Sequence, residues 1–240
     1  MPFLGHFKSL TILQHQIQLS KQAKAILWQH IIKSKIHNQA LLLQMQQREE
    51  FKALESLAKG VKLADSTHNE AKAASLYFKA LFGKDFSRKV QIFEDTQIGL
   101  INAALNYGYA IVRGMIVRSL CASGLNPALG INHKNQFNAF NLADDLIEPY
   151  RVFVDSLVVE MYQGGELDTT LSLENRVRLA GVLSAAVMVE GKCYPLNRGS
   201  VMSVQSLASA IQKSTFTLRL PIFCKDKSNG RYIYESASDV

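Results

Sequence analysis

Cysteine is scarce in this chain: Cys121, Cys193 and Cys224 are three residues in 240, with no CxxC spacing among them. An odd, scattered set excludes a disulfide-stapled scaffold and a cysteine-rich zinc site, and it fits a reducing compartment, so a cytoplasmic location is expected. Long apolar runs are missing too. The longest uncharged apolar stretch, residues 181–189, is about half of what a bilayer-spanning helix needs, and no membrane partner is expected. The first residues, Met-Pro-Phe-Leu-Gly-His-Phe-Lys, offer neither an extended apolar region nor a small-residue cleavage site, so secretion is not indicated. There is no GxxxxGK[ST], no GxGxxG after a strand, no GxSxG and no HExxH. P-loop hydrolysis, dinucleotide chemistry, α/β-hydrolase acylation and zincin proteolysis therefore lack their sequence basis. Proline and glycine are modest, at 5 and 14 residues, beside 48% hydrophobic and 20% charged residues. That balance belongs to an ordinary globular protein large enough to bury a core without staples.

What the chain does have is positive charge, a formal +7 at neutral pH, and its distribution says more than its total. By segment the net charge is +5 over residues 1–60, +3 over 61–125, −5 over 126–190 and +4 over 191–240. An acidic stretch enclosed by basic ones suits a metal-dependent enzyme acting on a phosphate backbone, with carboxylates for the cation and Lys and Arg for the polyanion. The same acids on solvated helix faces would give the same counts.

Apolar periodicity predicts an all-α architecture. Ser20 caps a helix through Lys21 to about Gln46, with Trp28 on its apolar face, and helices follow over 49–58 and 67–82, punctuated by Gly60 and Gly83. The longest predicted helix opens after Thr96 and runs to Ser123, with Gly124 and Pro127 beyond it. A polar loop over 130–138 leads to short helices over 140–147 and 149–163, and Ser172 caps a helix predicted to reach Glu190. Residues 203–213 read as weakly helical, 215–223 as the one short strand, and 225–240 as a loose tail behind a helical domain over 1–224.

Local chemistry leaves its candidates open. Asp144, Asp145 and Glu148 are spaced to share one helix face, where they repel one another unless a cation compensates, yet the same acids also favour the start of a helix opening at Pro149. Pro149 disturbs the helical geometry of Glu148 and can aim its carboxylate into a cleft. His133, in a loop behind the longest helix, is placed either to reach a metal or to sit in solvent. Thr67-His68-Asn69-Glu70 matches a capping box, which would occupy Glu70 with its own helix start. Asn102, Asn106, Tyr107 and Tyr109 are polar insertions in an apolar helix and need partners when buried.

Three stretches carry a family resemblance: Asn-Ala-Ala-Leu-Asn-Tyr-Gly-Tyr-Ala-Ile at 102–111, Gly-Leu-Asn-Pro-Ala-Leu-Gly-Ile-Asn-His at 124–133, and Asn-Ala-Phe-Asn-Leu-Ala-Asp-Asp-Leu-Ile-Glu-Pro-Tyr-Arg at 138–151. In this order and spacing they resemble the CRISPR-associated endonuclease Cas-one, the adaptation integrase, in its type II-like form. Further similarity runs through 27–40 and 70–78, so most of residues 10–220 is covered. The resemblance implies a metal-dependent DNA endonuclease and integrase that joins the 3′-hydroxyl of a spacer precursor to the CRISPR repeat by transesterification. It places Mg²⁺ or Mn²⁺ on Glu70, His133 and Glu148, which would also be the catalytic set, with Asp144 in reserve and Asp145 behind it. Arg113, Arg118, Lys134, Lys84, Arg88 and Lys89 are the basic residues nearest for DNA. Double-stranded DNA, a homodimer and the small partner Cas-two are the partners it implies. The resemblance begins just after where the family's N-terminal β-rich domain would end, so that domain is expected to be absent, and an idle DNA-binding or assembly module is the alternative.

Overall fold

The computed structural model describes residues 9–88, 96–167 and 170–224; Lys89 and the tail over 225–240 lie outside them. The plan is all-α, as the sequence predicts. In order come α1 (Ser9–Ile17), α2 (Lys21–Met45), α3 (Phe51–Lys59), α4 (Asn69–Phe82), α5 (Gln97–Ala122), α6 (Asn141–Leu146), α7 (Arg151–Gln163), α8 (Leu173–Ala180) and α9 (Leu196–Lys213). Short 3₁₀ turns lie at Leu63–Asp65, Glu148–Tyr150 and Gly181–Ser184.

Helices α2 and α5 organise the core. The Ser20 hydroxyl accepts from Ala23 N at 3.1 Å and starts α2, whose residues Leu27, Trp28, Ile31, Ile32, Ile36, Leu42 and Leu43 are buried at helical spacing. Thr96 caps α5 in the same way through Gly99 N, and Gly124, at φ +76°, follows the helix end. Helix α5 packs against α6, α7, α8 and α9. Its approach to α7 depends on Gly108, where a Cβ would lie 2.4 Å from Val154 Cγ1. By length and composition α5 is apolar enough to cross a membrane, with mean hydropathy 1.2 over 18 residues, but half of that window is buried within the fold. Helix α2 meets α3, α4, α7 and the Glu148–Tyr150 turn. Asn38 fastens this meeting: its Nδ2 donates to Pro149 O at 2.9 Å and Pro221 O at 3.0 Å, and its Oδ1 accepts from Phe223 N at 3.0 Å.

Two expectations need correction. The helix predicted from Ser172 to Glu190 stops at Ala180, and the chain then forms β1 (Ala186–Val189) and β2 (Lys192–Pro195). The cause is local: Glu190 and Gly191 both adopt positive φ, +52° and +79°, which suits a two-residue hairpin turn, and Val187 and Val189 are β-branched. The strand predicted over 215–223 contracts to β3 (Ile222–Phe223), because Pro221 has no amide to donate to a ladder. The described residues thus contain a small antiparallel sheet of order β2-β1-β3, with Val187 opposite Tyr194 and Phe223, where one strand is predicted. Helix α1 is not predicted, and α9 starts at Leu196, earlier than predicted.

Candidate functional site

The site begins at an unusual helix start. Ala64, Asp65 and His68 all adopt left-handed backbone, at φ +55°, +49° and +54°, and this tight turn carries the Asp65 carboxylate over the first amides of α4. Asp65 Oδ1 accepts from Asn69 N at 2.9 Å and Oδ2 from Glu70 N at 3.0 Å. Thr67 therefore does not form the capping box its spacing suggests, and its hydroxyl is buried without a hydrogen-bond partner among the described residues. Glu70 is released from that duty. Its side chain turns to α2, where Lys35 Nζ donates to Glu70 Oε1 at 2.7 Å.

Lys35 stands on the apolar face of α2 with a side chain only 9% exposed, and it serves two acids. The same ammonium lies 2.5 Å from Glu148 Oε2, an ion contact rather than an aligned hydrogen bond. Glu148 projects from the 3₁₀ turn that Pro149 enforces between α6 and α7, and it is 5% exposed. Its other oxygen, Oε1, accepts from Arg151 Nε at 2.9 Å. Burial alone would raise the Glu148 pKa, but the Arg151 and Lys35 charges prevail and hold it at about 2. Burial likewise opposes the charge on Lys35, and the Glu148 and Glu70 carboxylates outweigh it, so its pKa is raised. Two acids from chain segments far apart are thus joined through one buried cation.

His133 is organised by Asp145. That carboxylate is fully buried and accepts the backbone amides of Ile131 at 2.5 Å, Asn132 at 3.1 Å and His133 at 3.1 Å. It also takes the hydrogen bond of the His133 ring, with Nδ1 at 2.7 Å from Oδ1. The hydrogen bond to Asp145 is the main reason the imidazole pKa is raised; burial opposes it, and the Glu148 and Asp144 charges add to it. Trp28 of α2 meets the ring edge-on, with centroids 5.9 Å apart. With Nδ1 engaged by a carboxylate, Nε2 is the nitrogen left for a ligand, the arrangement that commonly fixes a metal-binding histidine. Asp144 points elsewhere: it accepts from Asn138 Nδ2 at 2.6 Å and meets Arg113 at 3.4 Å.

The structure therefore brings Glu70 and Glu148 together on Lys35, His133 together with Asp145, and Asp144 together with Arg113. As the side chains stand, no three His, Cys, Asp or Glu groups among the described residues are close enough to hold a metal ion. The donor chemistry nonetheless suits a hard divalent cation: two carboxylates already share a positive charge, and an oriented imidazole lies within reach of the Glu148 field.

Beside the acids lies a cavity of about 580 Å³, lined by Lys35, Gln39, Phe78, Arg88, Tyr109, Glu148, Arg151 and Asp155, among others. Here three of the polar insertions of α5, Asn102, Asn106 and Tyr109, find their partners, while Tyr107 is exposed. Asn102 Oδ1 and Asn106 Oδ1 accept from Arg88 at 2.5 and 2.6 Å. Tyr109 donates to the buried Asp155, which also accepts from Tyr77 at 2.8 Å. Burial raises the Asp155 pKa to about 6 against the lowering effect of both phenols and two arginines. The Arg151 guanidinium stacks 4.5 Å from the Tyr109 ring centre, and Arg88 stands 5.6 Å from it. Arg88, Arg113 and Arg151 line a smaller adjoining cavity of about 340 Å³. Arg118, Lys134 and Lys84 are exposed. Sequence reasoning missed Lys35, Arg151, Asp65 and Asp155. A lysine among Ile31, Ile32 and Ile36 at core spacing was the signal for the first, and the three-residue spacing from Glu148 for the second.

A family model described as CRISPR associated protein Cas1 matches residues 4–186. A CRISPR-associated endonuclease Cas1 from Neisseria meningitidis is 35% identical over 92% of this chain and 71% of its own length. One from Francisella tularensis subsp. novicida is 34% identical over 51% of this chain, which covers 41% of that relative. Among solved structures, a casposase bound to integration product superimposes with a TM-score of 0.71 at 21% identity, over 88% of this chain and 71% of that one. The Cas1 protein TM1797 of Thermotoga maritima gives 0.65 at 14% identity, over 88% and 70%. At such identities these two likenesses concern the fold. With the family model covering most of the chain and 92% of the chain matched at 35% identity to the Neisseria relative, the chain belongs to the Cas1 family of CRISPR-associated proteins.

Proposed function

We propose that this chain is the catalytic part of a metal-dependent DNA endonuclease and integrase of CRISPR adaptation, joining the 3′-hydroxyl of a spacer precursor to the CRISPR repeat by transesterification. The observation that carries the reading is the convergence of Glu70 and Glu148 on one buried positive charge. Glu70, Glu148 and the Nε2 of His133 would hold Mg²⁺ or Mn²⁺, which when bound supplies Lewis acidity to the attacking hydroxyl and to the leaving oxygen. The protein's own part is positional. Arg151 fixes one oxygen of Glu148 and leaves the other for a cation, and Asp145 fixes the His133 loop and the ring's tautomer. Arg88, Arg113 and Arg151, around adjoining cavities, would hold phosphates on either side of the reacting bond. Asp144, committed to Arg113 and Asn138, would act on that arginine instead of on the ion.

Support for integration chemistry comes from the fold shared with a casposase bound to integration product, and support for assembly with Cas-two from the fold shared with a chain titled as a Cas6-RT-Cas1–Cas2 complex, at a TM-score of 0.71 and 20% identity. Double-stranded DNA and a second copy of the chain complete the proposed partners, in the cytoplasm. The test is strand joining with Mn²⁺ and a repeat duplex, in the presence of Cas-two. Glu70→Ala, His133→Ala and Glu148→Ala are each expected to reduce joining at least 100-fold, about 2.7 kcal/mol of transition-state stabilisation, while helical circular dichroism persists. Undiminished joining in all three overturns the reading.

A further inference from the structure

Gln39 is 3% exposed and its Oε1 has no hydrogen-bond partner among the described residues. A buried amide oxygen without a donor is costly and marks a place where a donor is meant to arrive. Gln39 lies four residues beyond Lys35, so the two share one face of α2, and both line the cavity of about 580 Å³ beside the acids. On that face Lys35 carries its ammonium at the end of a four-carbon stem, and the cavity that both residues line is large enough for such a stem to turn in.

We propose that Lys35 is an exchangeable counter-ion with two seats: between Glu70 and Glu148 when no divalent ion is present, and at Gln39 Oε1 in the cavity when one is. The proposal rests on the metal-centre reading above and deepens it to the control of ion entry. In the first seat the ammonium neutralises two carboxylates that would otherwise repel each other across the site. A divalent ion and the ammonium cannot occupy that place together, so binding of one requires departure of the other. Gln39 lowers the cost of departure by accepting the displaced donor inside the protein. In its second seat Lys35 joins Arg88 on the wall of the cavity, where added positive charge favours an entering phosphate. Metal occupancy and substrate attraction are coupled in this way by one side chain.

The test is Mn²⁺ titration, by calorimetry and by loss of the free-ion electron paramagnetic resonance signal, on the chain, Lys35→Met, Gln39→Met and the double variant. Lys35→Met is expected to bind Mn²⁺ roughly tenfold tighter, since the competitor is gone. Gln39→Met is expected to bind severalfold more weakly, since the displaced ammonium has lost its acceptor. In the Lys35→Met background the Gln39 change should have no further effect, a non-additivity that a purely structural role for either residue does not produce. Equal effects of Gln39→Met in both backgrounds, or no tightening in a folded Lys35→Met, overturn the exchange. If Lys35→Met does not fold, Gln39→Met alone decides: unaltered Mn²⁺ affinity overturns the exchange. A Glu148→Gln control separates the two levels. Mn²⁺ binding that ignores Glu148→Gln, or no Mn²⁺ binding by any protein, overturns the metal centre and the exchange together.

Discussion

Glu148 and Asp155 lie on opposite sides of ordinary carboxylate behaviour, and the stability of the fold should show it. The Glu148 pKa is lowered from 4.5 to about 2, so its pairing stabilises the fold fully above the unfolded value and is lost as pH falls from 4.5 to about 2. The shift corresponds to about 3 kcal/mol. Asp155 is raised from 3.8 to about 6, so the fold holds its proton more tightly, and stability rises as pH falls through about 6 until 3.8 is reached. Urea unfolding across this range is expected to show the acid-side loss in the parent chain and not in Glu148→Gln, whereas Asp155→Asn should flatten the profile between pH 4 and 6. A parent profile that Glu148→Gln leaves unaltered would contradict the pairing. Residues such as these set the limit of sequence reading. Glu148 was visible from the Pro149 beside it and the acids before it, but its partner Lys35 comes from a helix more than a hundred residues away, and no local pattern announces such a meeting. Glu70 teaches the converse: the spacing Thr67 to Glu70 is a sound capping signal, yet three left-handed residues hand the capping to Asp65.

Among the elements, the loop between α5 and α6 is the most exacting. A Cβ at Gly130 would fall 2.2 Å from His133 O and 3.0 Å from Asp145 Oδ2, inside the set of amides that Asp145 gathers. Asn141 closes the other end, donating to the carbonyls of Ala128, Asn135 and Asn138. Gly130→Ala is therefore expected to displace the His133 ring, to destabilise the chain by about 1–3 kcal/mol in urea unfolding and to weaken Mn²⁺ binding. Full retention of both would show that the loop has slack the distances deny. The long helices were legible because their caps and periodicity agree, as at Ser20 and Thr96. The β1–β2 hairpin was not. Its apolar run continues a helical pattern from Ser172, and only the Glu190-Gly191 pair with two β-branched residues argues for a strand.

At the scale of the molecule, α2 is where distant parts of the chain are gathered. Trp28 backs His133, Lys35 joins Glu70 to Glu148, and Asn38 ties the Glu148–Tyr150 turn to β3. This gathering is a property of the whole core, which explains why apolar spacing showed that α2 is buried but not that it carries the site. The Lys35 bridge has a consequence for biogenesis. Zinc fingers cannot fold before their ion arrives, because their ligands have no other way to be neutralised and held. Here an amine encoded in the chain plays that part, so the acidic pair is neutralised in the folded chain by the polypeptide itself. The chain prepared in EDTA should accordingly keep its helical circular dichroism and unfold in one cooperative transition, and a metal-free chain without that transition would show that an ion is required for the fold. On the metal-centre reading proposed above, maturation and mineral loading would be separate events.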